Sequence, residues 1–184
     1  MTLQSIGQEV ASLLLERSEK LVLAESCTCG MVASQLGNIP GISNSLCGSA
    51  VVYRPDSKRK WLGVPKSILK KYSPESHEVA EKIATGILNK TPEATWSLGI
   101  VGHLGPDAPK EKDGVIYLCI ARRTNKGKIK IKHEARYQLQ TNPRSKRMQE
   151  AVEACLTHFA RLLTKKSNLD EHKTRRKKSQ AVKS

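Results

Sequence analysis

Residues 21–36, LVLAESCTCGMVASQL, join a short apolar run to an apolar pattern with helical spacing. LVLAES, residues 21–26, predicts a buried β-strand, and CGMVASQLGNI, residues 29–39, predicts a helix. The joint of the two holds an acid, two hydroxyl groups, two thiols and a glycine, in the order Glu25, Ser26, Cys27, Thr28, Cys29 and Gly30. One capping residue is enough to begin a helix. The additional polar groups therefore indicate a second role for this joint.

The rest of the sequence alternates predicted helices and strands. Amphipathic helices are predicted over residues 5–20, 73–90 and 143–165, with two short helices over residues 57–64 and 65–72. Strands are predicted over residues 44–54, 94–102, 115–123 and 128–139, the last two as an antiparallel hairpin. In the first part of the chain helices alternate with buried strands, and the hairpin follows toward the end. This order predicts an α/β fold, a three-layer α/β/α sandwich with a mixed β-sheet.

The formal net charge of the 184-residue chain is +15, and much of it lies near the end. Residues 165–184 hold eight Lys or Arg against Asp170 and Glu171, a net +6. We expect one domain over residues 1–164 and a disordered basic tail over residues 165–184, which has almost nothing to bury. The tail could bind nucleic acid, act as a nuclear-import signal, or be a solvated terminus without a partner. Aromatic residues, at 4% of the sequence, are too few for a single-strand binder in the folded part.

The five cysteines are scattered, and residues 1–20 are amphipathic without the features of a secretory leader. This favours reduced thiols in a cytoplasmic protein, or a nuclear one if the tail directs import. Cys27 and Cys29 have no second cysteine or histidine pair nearby, so we expect no metal site and no cofactor. No apolar run approaches the ~20 residues of a membrane span, so no membrane partner is expected.

The joint after residue 25 suggests catalysis or binding. The end of a strand that feeds a helix is where α/β folds place ligands, and free helix amides there attract phosphate or an oxyanion. Ser26 has the position of a nucleophile, although no Gly-x-Ser-x-Gly frame surrounds it and no histidine is an obvious base. A desolvated lysine could activate it instead. The alternative is that Ser26 or Thr28 only caps the helix.

Longer segments carry a family resemblance. AESCTCG at residues 24–30, the Pro-Gly pair at 40–41, and Tyr53 followed five residues later by Lys58 are its most specific parts. With SHEVAEKIATG, GHLGP and DGVIYLCIA, the sequence resembles the carboxy-terminal domain of the CinA family over most of residues 5–163. Members of that family include nicotinamide mononucleotide deamidases. The resemblance implies the stand-alone form, without an amino-terminal nucleotide-pyrophosphatase domain, and a homo-oligomer.

The resemblance also implies an amidohydrolase that converts nicotinamide mononucleotide and water to nicotinate mononucleotide and ammonia. Ser26 matches the family's nucleophile, Lys58 its base and Tyr53 its proton-relaying or lysine-orienting tyrosine. Backbone amides of residues 27–30 would hold the oxyanion, and neither a metal nor a cofactor is implied. The expected substrate-binding residues are Thr28, Gly30, Gly48, Ser49, Gly102, His103 and Arg144, with Arg144 on the substrate phosphate. A solvated arginine at a helix start is the alternative for Arg144.

The sequence departs from the family pattern at three positions close to these residues. Val101 stands where the family has a threonine, Cys29 replaces a glycine, and Met148 stands where a further arginine is expected, with Arg147 displaced by one. Loss of the threonine hydroxyl would remove a hydrogen bond to the substrate or the transition state. Two alternatives to an enzyme follow. One is a catalytically silent nucleotide-binding domain, and the other is a nucleic-acid adaptor that acts through its basic tail.

Overall fold

A computed structural model describes the backbone of residues 2–181 and the side chains of residues 2–164. The helices are α1 (Leu3–Glu16), α2 (Met31–Gly37), α3 (Pro55–Leu62), α4 (Lys66–Tyr72), α5 (His77–Lys90) and α6 (Arg144–Ala181). The strands are β1 (Leu21–Glu25), β2 (Leu46–Val51), β3 (Trp96–Gly102), β4 (Val115–Arg123) and β5 (Ile129–Gln138). A single 3-10 turn, Ile42–Asn44, precedes β2.

The five strands form one mixed sheet in the order β2-β1-β3-β4-β5. β1 runs parallel to β2 and β3, whereas β4 is antiparallel to both β3 and β5. The predicted hairpin of the last two strands is therefore confirmed. Because β1, β2 and β3 are parallel, their carboxyl ends meet at one edge of the sheet, where the polar joint after β1 lies.

Helices cover both faces of the sheet, which confirms the three-layer α/β/α fold. One core cluster joins α1, α2 and α6 to the sheet through residues such as Val10, Leu36 and Phe159. The other joins the second face to α5 through residues such as Val79 and Ile83. Along β1, alternate side chains enter the two clusters. The strand therefore reads as a continuous apolar run, since both of its faces are buried.

Helix α5 packs against β3 and α3 with almost no space between the backbones. A Cβ atom on Gly99 would lie 2.7 Å from the carbonyl oxygen of Ala80, and one on Gly86 would overlap the carbonyl oxygen of Leu62. Side chains at either position would force α5 outward. These two glycines thus set the distance at which α5 covers the sheet.

Most predicted elements are present with shifted ends. The helix predicted from residue 73 begins at His77, with Ser76 as its N-cap: the Ser76 hydroxyl accepts from the amide of Val79. The predicted strand over residues 44–54 ends at Val51. The backbone of α6 continues to Ala181, whereas the sequence predicted a disordered tail from residue 165. The side chains of residues 165–184 lie outside the described part, so a separate basic tail stays a prediction. Among the described residues, no helix has both the length and the apolar character for a bilayer crossing.

Candidate active site

Ser26 and Lys58 are in direct contact. Ser26 directly follows the last residue of β1, Lys58 lies on α3, and the Lys58 Nζ is 3.0 Å from the Ser26 Oγ. The side chain of Lys58 is fully buried, and Ser26 is 4% exposed. Burial lowers the pKa of Lys58, and the carboxylate of Glu75 acts in the opposite direction. The site therefore holds a lysine amine that loses its proton more readily than one in water.

The surroundings of Lys58 solvate an ammonium group poorly. Besides Ser26, its Nζ donates to the backbone carbonyl of Tyr53 at 3.3 Å. These are its two acceptors among the described residues, whereas an ammonium group carries three N–H bonds. At the start of α3 the Arg54 amide donates to the Ser57 hydroxyl, which donates back to the Arg54 carbonyl, and Gly63 ends the helix in the left-handed conformation. The helix that carries the lysine is thus fixed at both ends.

The Cys27 thiol does not compete with the Ser26 hydroxyl as a nucleophile. Cys27 is buried next to Ser26, and burial raises the pKa of its thiol to about 12. A thiol at that pKa is almost entirely protonated near neutral pH and unreactive. The Ser26 hydroxyl, with its amine partner, is the better candidate.

The buried carboxylate of Glu25 holds the joint together. It accepts hydrogen bonds from two hydroxyls, Thr28 at 2.8 Å and Ser49 at 3.0 Å. It also accepts from three backbone amides, those of Gly30, Val32 and Ala33, at 3.0–3.1 Å. The carboxylate satisfies amides at the start of α2 that have no partner within the helix. Much of the surplus polarity of the joint is therefore structural.

Three of the expected substrate-binding residues are consequently bonded to Glu25. The Thr28 hydroxyl, the Ser49 hydroxyl and the Gly30 amide all point to its carboxylate. Gly48 lies within β2, opposite Val22 at the other end of β1 from Ser26. The structure thus does not bring Gly48 to Ser26. In the sequence, Glu25 is one polar group among several, and its role as the acceptor for these groups was not predicted. The signal was an acid one position before the turn that begins a helix.

The available oxyanion donors are fewer than the four amides expected. The Ser26 amide donates to the backbone carbonyl of Ile100, and the Cys29 amide donates to the backbone carbonyl of Ser26. The Gly30 amide donates to the carboxylate of Glu25. Within the described residues, the amide of Thr28 has no acceptor, and the amide of Cys27 has only the sulfur of its own side chain. They are the donors left for a developing negative charge beside Ser26.

Tyr53 and Arg144 are bonded to each other. The guanidinium of Arg144, at the first residue of α6, donates to the Tyr53 hydroxyl at 3.0 Å and to the carbonyl of Gly105 at 2.5 Å. The Tyr53 ring is half exposed. Its backbone carbonyl contacts Lys58, but its phenol pairs with Arg144 rather than with Ser26 or Lys58. The structure brings Tyr53 to the site without placing its phenol in the Ser26–Lys58 pair.

A cavity of about 230 Å³ opens beside Ser26. Its wall is formed by Ser26, Cys27, Tyr53, Glu75, residues 102–108 and Arg144. The expected residues Gly102 and His103 thus lie here with Ser26. A second cavity, of about 670 Å³, shares residues 104–108 and Arg144 with the first. Arg144 therefore borders both spaces.

His103 presents an unpaired nitrogen at this cavity. Its backbone amide donates to Val115, but its Nε2 is buried and has no hydrogen-bond partner among the described residues. The nearest carboxylate oxygen, on Glu75, is 3.9 Å away. A buried polar atom without a partner is unfavourable. A ligand in the cavity could satisfy it.

A model of one protein family matches nearly all of the described domain. The family is the CinA C-terminal domain, and the match covers residues 3–163. The chain belongs to the CinA C-terminal domain family. A CinA-like protein of Prochlorococcus marinus is 36% identical over 160 residues, which is 84% of this chain and 35% of that protein. A putative competence-damage inducible protein of Clostridium kluyveri is 40% identical over 122 residues, 65% of this chain and 29% of that protein. The chain thus spans about a third of the length of these relatives.

Solved structures of CinA proteins share the fold. The competence damage-inducible protein A of Klebsiella pneumoniae superimposes with a TM-score of 0.81 at 22% identity, covering 89% of this chain and 98% of that one. A CinA superfamily protein of Escherichia coli gives 0.76 at 24% identity, covering 89% and 90%. At these identities the likeness concerns the fold alone.

Two departures from the CinA pattern have a structural counterpart in this CinA C-terminal domain. Val101 is fully buried in the core cluster against α5, so an apolar contact replaces the expected hydroxyl. Arg147, next to the position of the missing arginine, forms a bidentate ion pair with Asp113 at 2.6 and 2.9 Å and donates to Thr141. That pair ties the start of α6 to the loop between β3 and β4. The sequence alone gave no signal for it, because the two residues are 34 positions apart.

Proposed function

We propose that this CinA C-terminal domain is an amidohydrolase, with nicotinamide mononucleotide as substrate and nicotinate mononucleotide and ammonia as products. The observation that carries the proposal is the 3.0 Å contact between Lys58 Nζ and Ser26 Oγ. A buried lysine with a lowered pKa is a suitable general base for a serine nucleophile.

In the first half of the reaction, the neutral amine of Lys58 accepts the proton of the Ser26 hydroxyl. The Ser26 oxygen attacks the carboxamide carbon, and the carbonyl oxygen becomes an oxyanion. The amides of Cys27 and Thr28 are the candidate donors to it. Lys58 then gives its proton to the nitrogen, the carbon–nitrogen bond breaks, and ammonia leaves an ester on Ser26.

In the second half, water hydrolyses that ester. Lys58 takes a proton from the attacking water, and the new tetrahedral intermediate forms at the same carbon. The bond to the Ser26 oxygen then breaks, and Lys58 returns the proton to Ser26. The product forms as a carboxylic acid and gives its proton to the solvent, where the released ammonia takes it up. The proton transfers to and from Ser26, the leaving nitrogen and the attacking water all pass through Lys58, which starts and ends neutral.

The position of Arg144 supports a phosphorylated substrate. Arg144 lies in the walls of both cavities, which also share residues 104–108. Guanidinium groups pair with phosphate through two parallel hydrogen bonds. A nucleotide with its carboxamide at Ser26 could extend past Tyr53 and place its phosphate near Arg144. The Arg144–Tyr53 bond holds the arginine in this position.

Ammonia release from nicotinamide mononucleotide tests the proposal. The purified protein should release ammonia, and Ser26→Ala should abolish the release while it preserves ligand binding and the thermal unfolding temperature. Ser34→Ala is a matched control, because Ser34 is exposed on α2 and lies outside the cavity wall. Binding without turnover by the unmodified protein would contradict the proposal. It would favour the silent nucleotide-binding domain instead.

A further inference from the structure

Glu75 is a carboxylate in the wall of the Ser26 cavity that the proposed cycle does not use. It lies just before α5, and 26% of its side chain is exposed. Within the described residues, its carboxylate accepts one long hydrogen bond, 3.3 Å from the Ser73 hydroxyl. The Nε2 of His103 is 3.9 Å away, beyond hydrogen-bond distance. The carboxylate therefore has capacity left for a ligand.

The charge of Glu75 works against Lys58 as a general base. A carboxylate near a lysine favours the ammonium form, and Glu75 raises the pKa of Lys58 where burial lowers it. A general base must be neutral before it can accept a proton. The negative charge is thus a disadvantage for catalysis, unless the bound substrate supplies a positive charge that offsets it.

We propose that Glu75 selects substrates whose ring carries a positive charge next to the scissile carboxamide. The inference rests on the proposed function, because the nicotinamide ring of nicotinamide mononucleotide is a pyridinium cation when its nitrogen is bonded to ribose. The cavity then presents a carboxylate for the ring and the guanidinium of Arg144 for the phosphate. Attraction between opposite charges is stronger in such a partly desolvated space than in water.

The arrangement also links binding to catalysis. A cation beside Glu75 offsets the field that favours the ammonium form of Lys58, so the correct substrate promotes the neutral base. A neutral ring of the same shape would leave Lys58 protonated more of the time. The reduced form of the same nucleotide, with a dihydropyridine ring, provides this comparison because it keeps the carboxamide, the ribose and the phosphate.

The affinities of the two nucleotides for the Ser26→Ala protein, measured by calorimetry, test the inference without turnover. We expect the oxidised, cationic form to bind about tenfold more tightly than the reduced form. Adding Glu75→Gln should reduce this ratio to about one, and Glu75→Asp, which keeps the charge, should retain most of it. Glu78→Gln is the matched control, because it removes the same charge from the first turn of α5 outside the cavity wall.

Several outcomes would overturn the inference. These are equal affinity for the two nucleotides, an unchanged ratio in Glu75→Gln, an equal loss in Glu78→Gln, and no binding of either nucleotide. Ammonia release by the proteins that retain Ser26 separates this result from the proposed function. If Glu75 distinguishes the two nucleotides but no ammonia is released, the proposed hydrolase activity is wrong and the role of Glu75 is supported. If ammonia is released but Glu75→Gln leaves the affinity ratio of the two nucleotides unchanged, the role of Glu75 is wrong and the hydrolase activity is supported.

Discussion

The Nζ of Lys58 and the Oγ of Ser26 lie 3.0 Å apart, although the two residues are 32 positions apart in the chain. One follows the carboxyl end of β1, and the other lies on the helix that follows the neighbouring parallel strand β2. Parallel pairing of β1 with β2 brings these two connections to the same edge of the sheet. The contact therefore depends on the topology and on the length of the link between β2 and α3.

Replacement of Lys58 by methionine should remove activity while preserving the fold. Methionine has a similar volume and no polar atom, so no buried charge is left. We expect ammonia release to fall about 10²- to 10⁴-fold, the usual contribution of a general base. The free energy of unfolding, measured with urea, should fall by no more than about 1 kcal/mol. Lys60→Met, on the exposed side of α3, should change neither quantity, and a loss of activity there would point to a general effect of charge.

The buried lysine also makes stability depend on pH. Its pKa in the folded protein lies below the ordinary value of 10.5. Between these two pKa values the unfolded chain binds more protons than the folded one, so the free energy of unfolding should rise with pH up to about 10.5. Activity should rise over the lower part of the same window, because the base must be neutral. Unfolding curves of the unmodified protein and Lys58→Met, compared at a series of pH values, measure this slope. The variant should lack this contribution, and identical slopes would contradict a lowered pKa.

Patterns within one segment predicted the fold well. The apolar run of β1 predicted burial on both faces, and the late hairpin predicted a mixed sheet. The resemblance to the CinA family supplied Ser26 and Lys58 together, and the structure places them in contact. Local chemistry alone left Ser26 open between a cap and a nucleophile, because nothing in the sequence around it identifies a lysine on another element as its partner.

Long-range contacts that the family resemblance does not include could not be predicted. The Tyr53 phenol pairs with Arg144, 91 positions away, and Arg147 pairs with Asp113 in a loop without periodic pattern. Such contacts depend on how the start of α6 meets the loop between β3 and β4. The place of Glu75 in the cavity wall was not predicted for a different reason. As an acid next to a helix start, it has a sufficient local explanation in the helix dipole.

Glu25 should be essential for stability rather than for chemistry. In Glu25→Gln, the side-chain nitrogen would face at least two of the five groups that now donate to the carboxylate, and backbone amides cannot reverse their direction. We expect a loss of about 2–4 kcal/mol in the free energy of unfolding, since buried donors are left without partners next to a missing charge. Urea denaturation measures it. Glu9→Gln, at an exposed position of α1, should change stability by less than about 0.5 kcal/mol. A similar small change in Glu25→Gln would show that the carboxylate does not hold the joint.

The approach of α5 to β3 should not tolerate one additional methyl group. In Gly99→Ala the Cβ would lie 2.7 Å from the Ala80 oxygen and 2.8 Å from the Ala84 nitrogen, both backbone atoms that move only with the helix. Overpacking of this kind lowers the free energy of unfolding by about 1–3 kcal/mol. Gly37→Ala is the matched control, because no atom lies within 4 Å of a Cβ there and alanine favours the helical conformation. Thermal unfolding should therefore occur at a lower temperature in Gly99→Ala and at an equal or higher one in Gly37→Ala. Equal stability of the two variants would mean that α5 lies farther from the sheet than its contacts with β3 indicate.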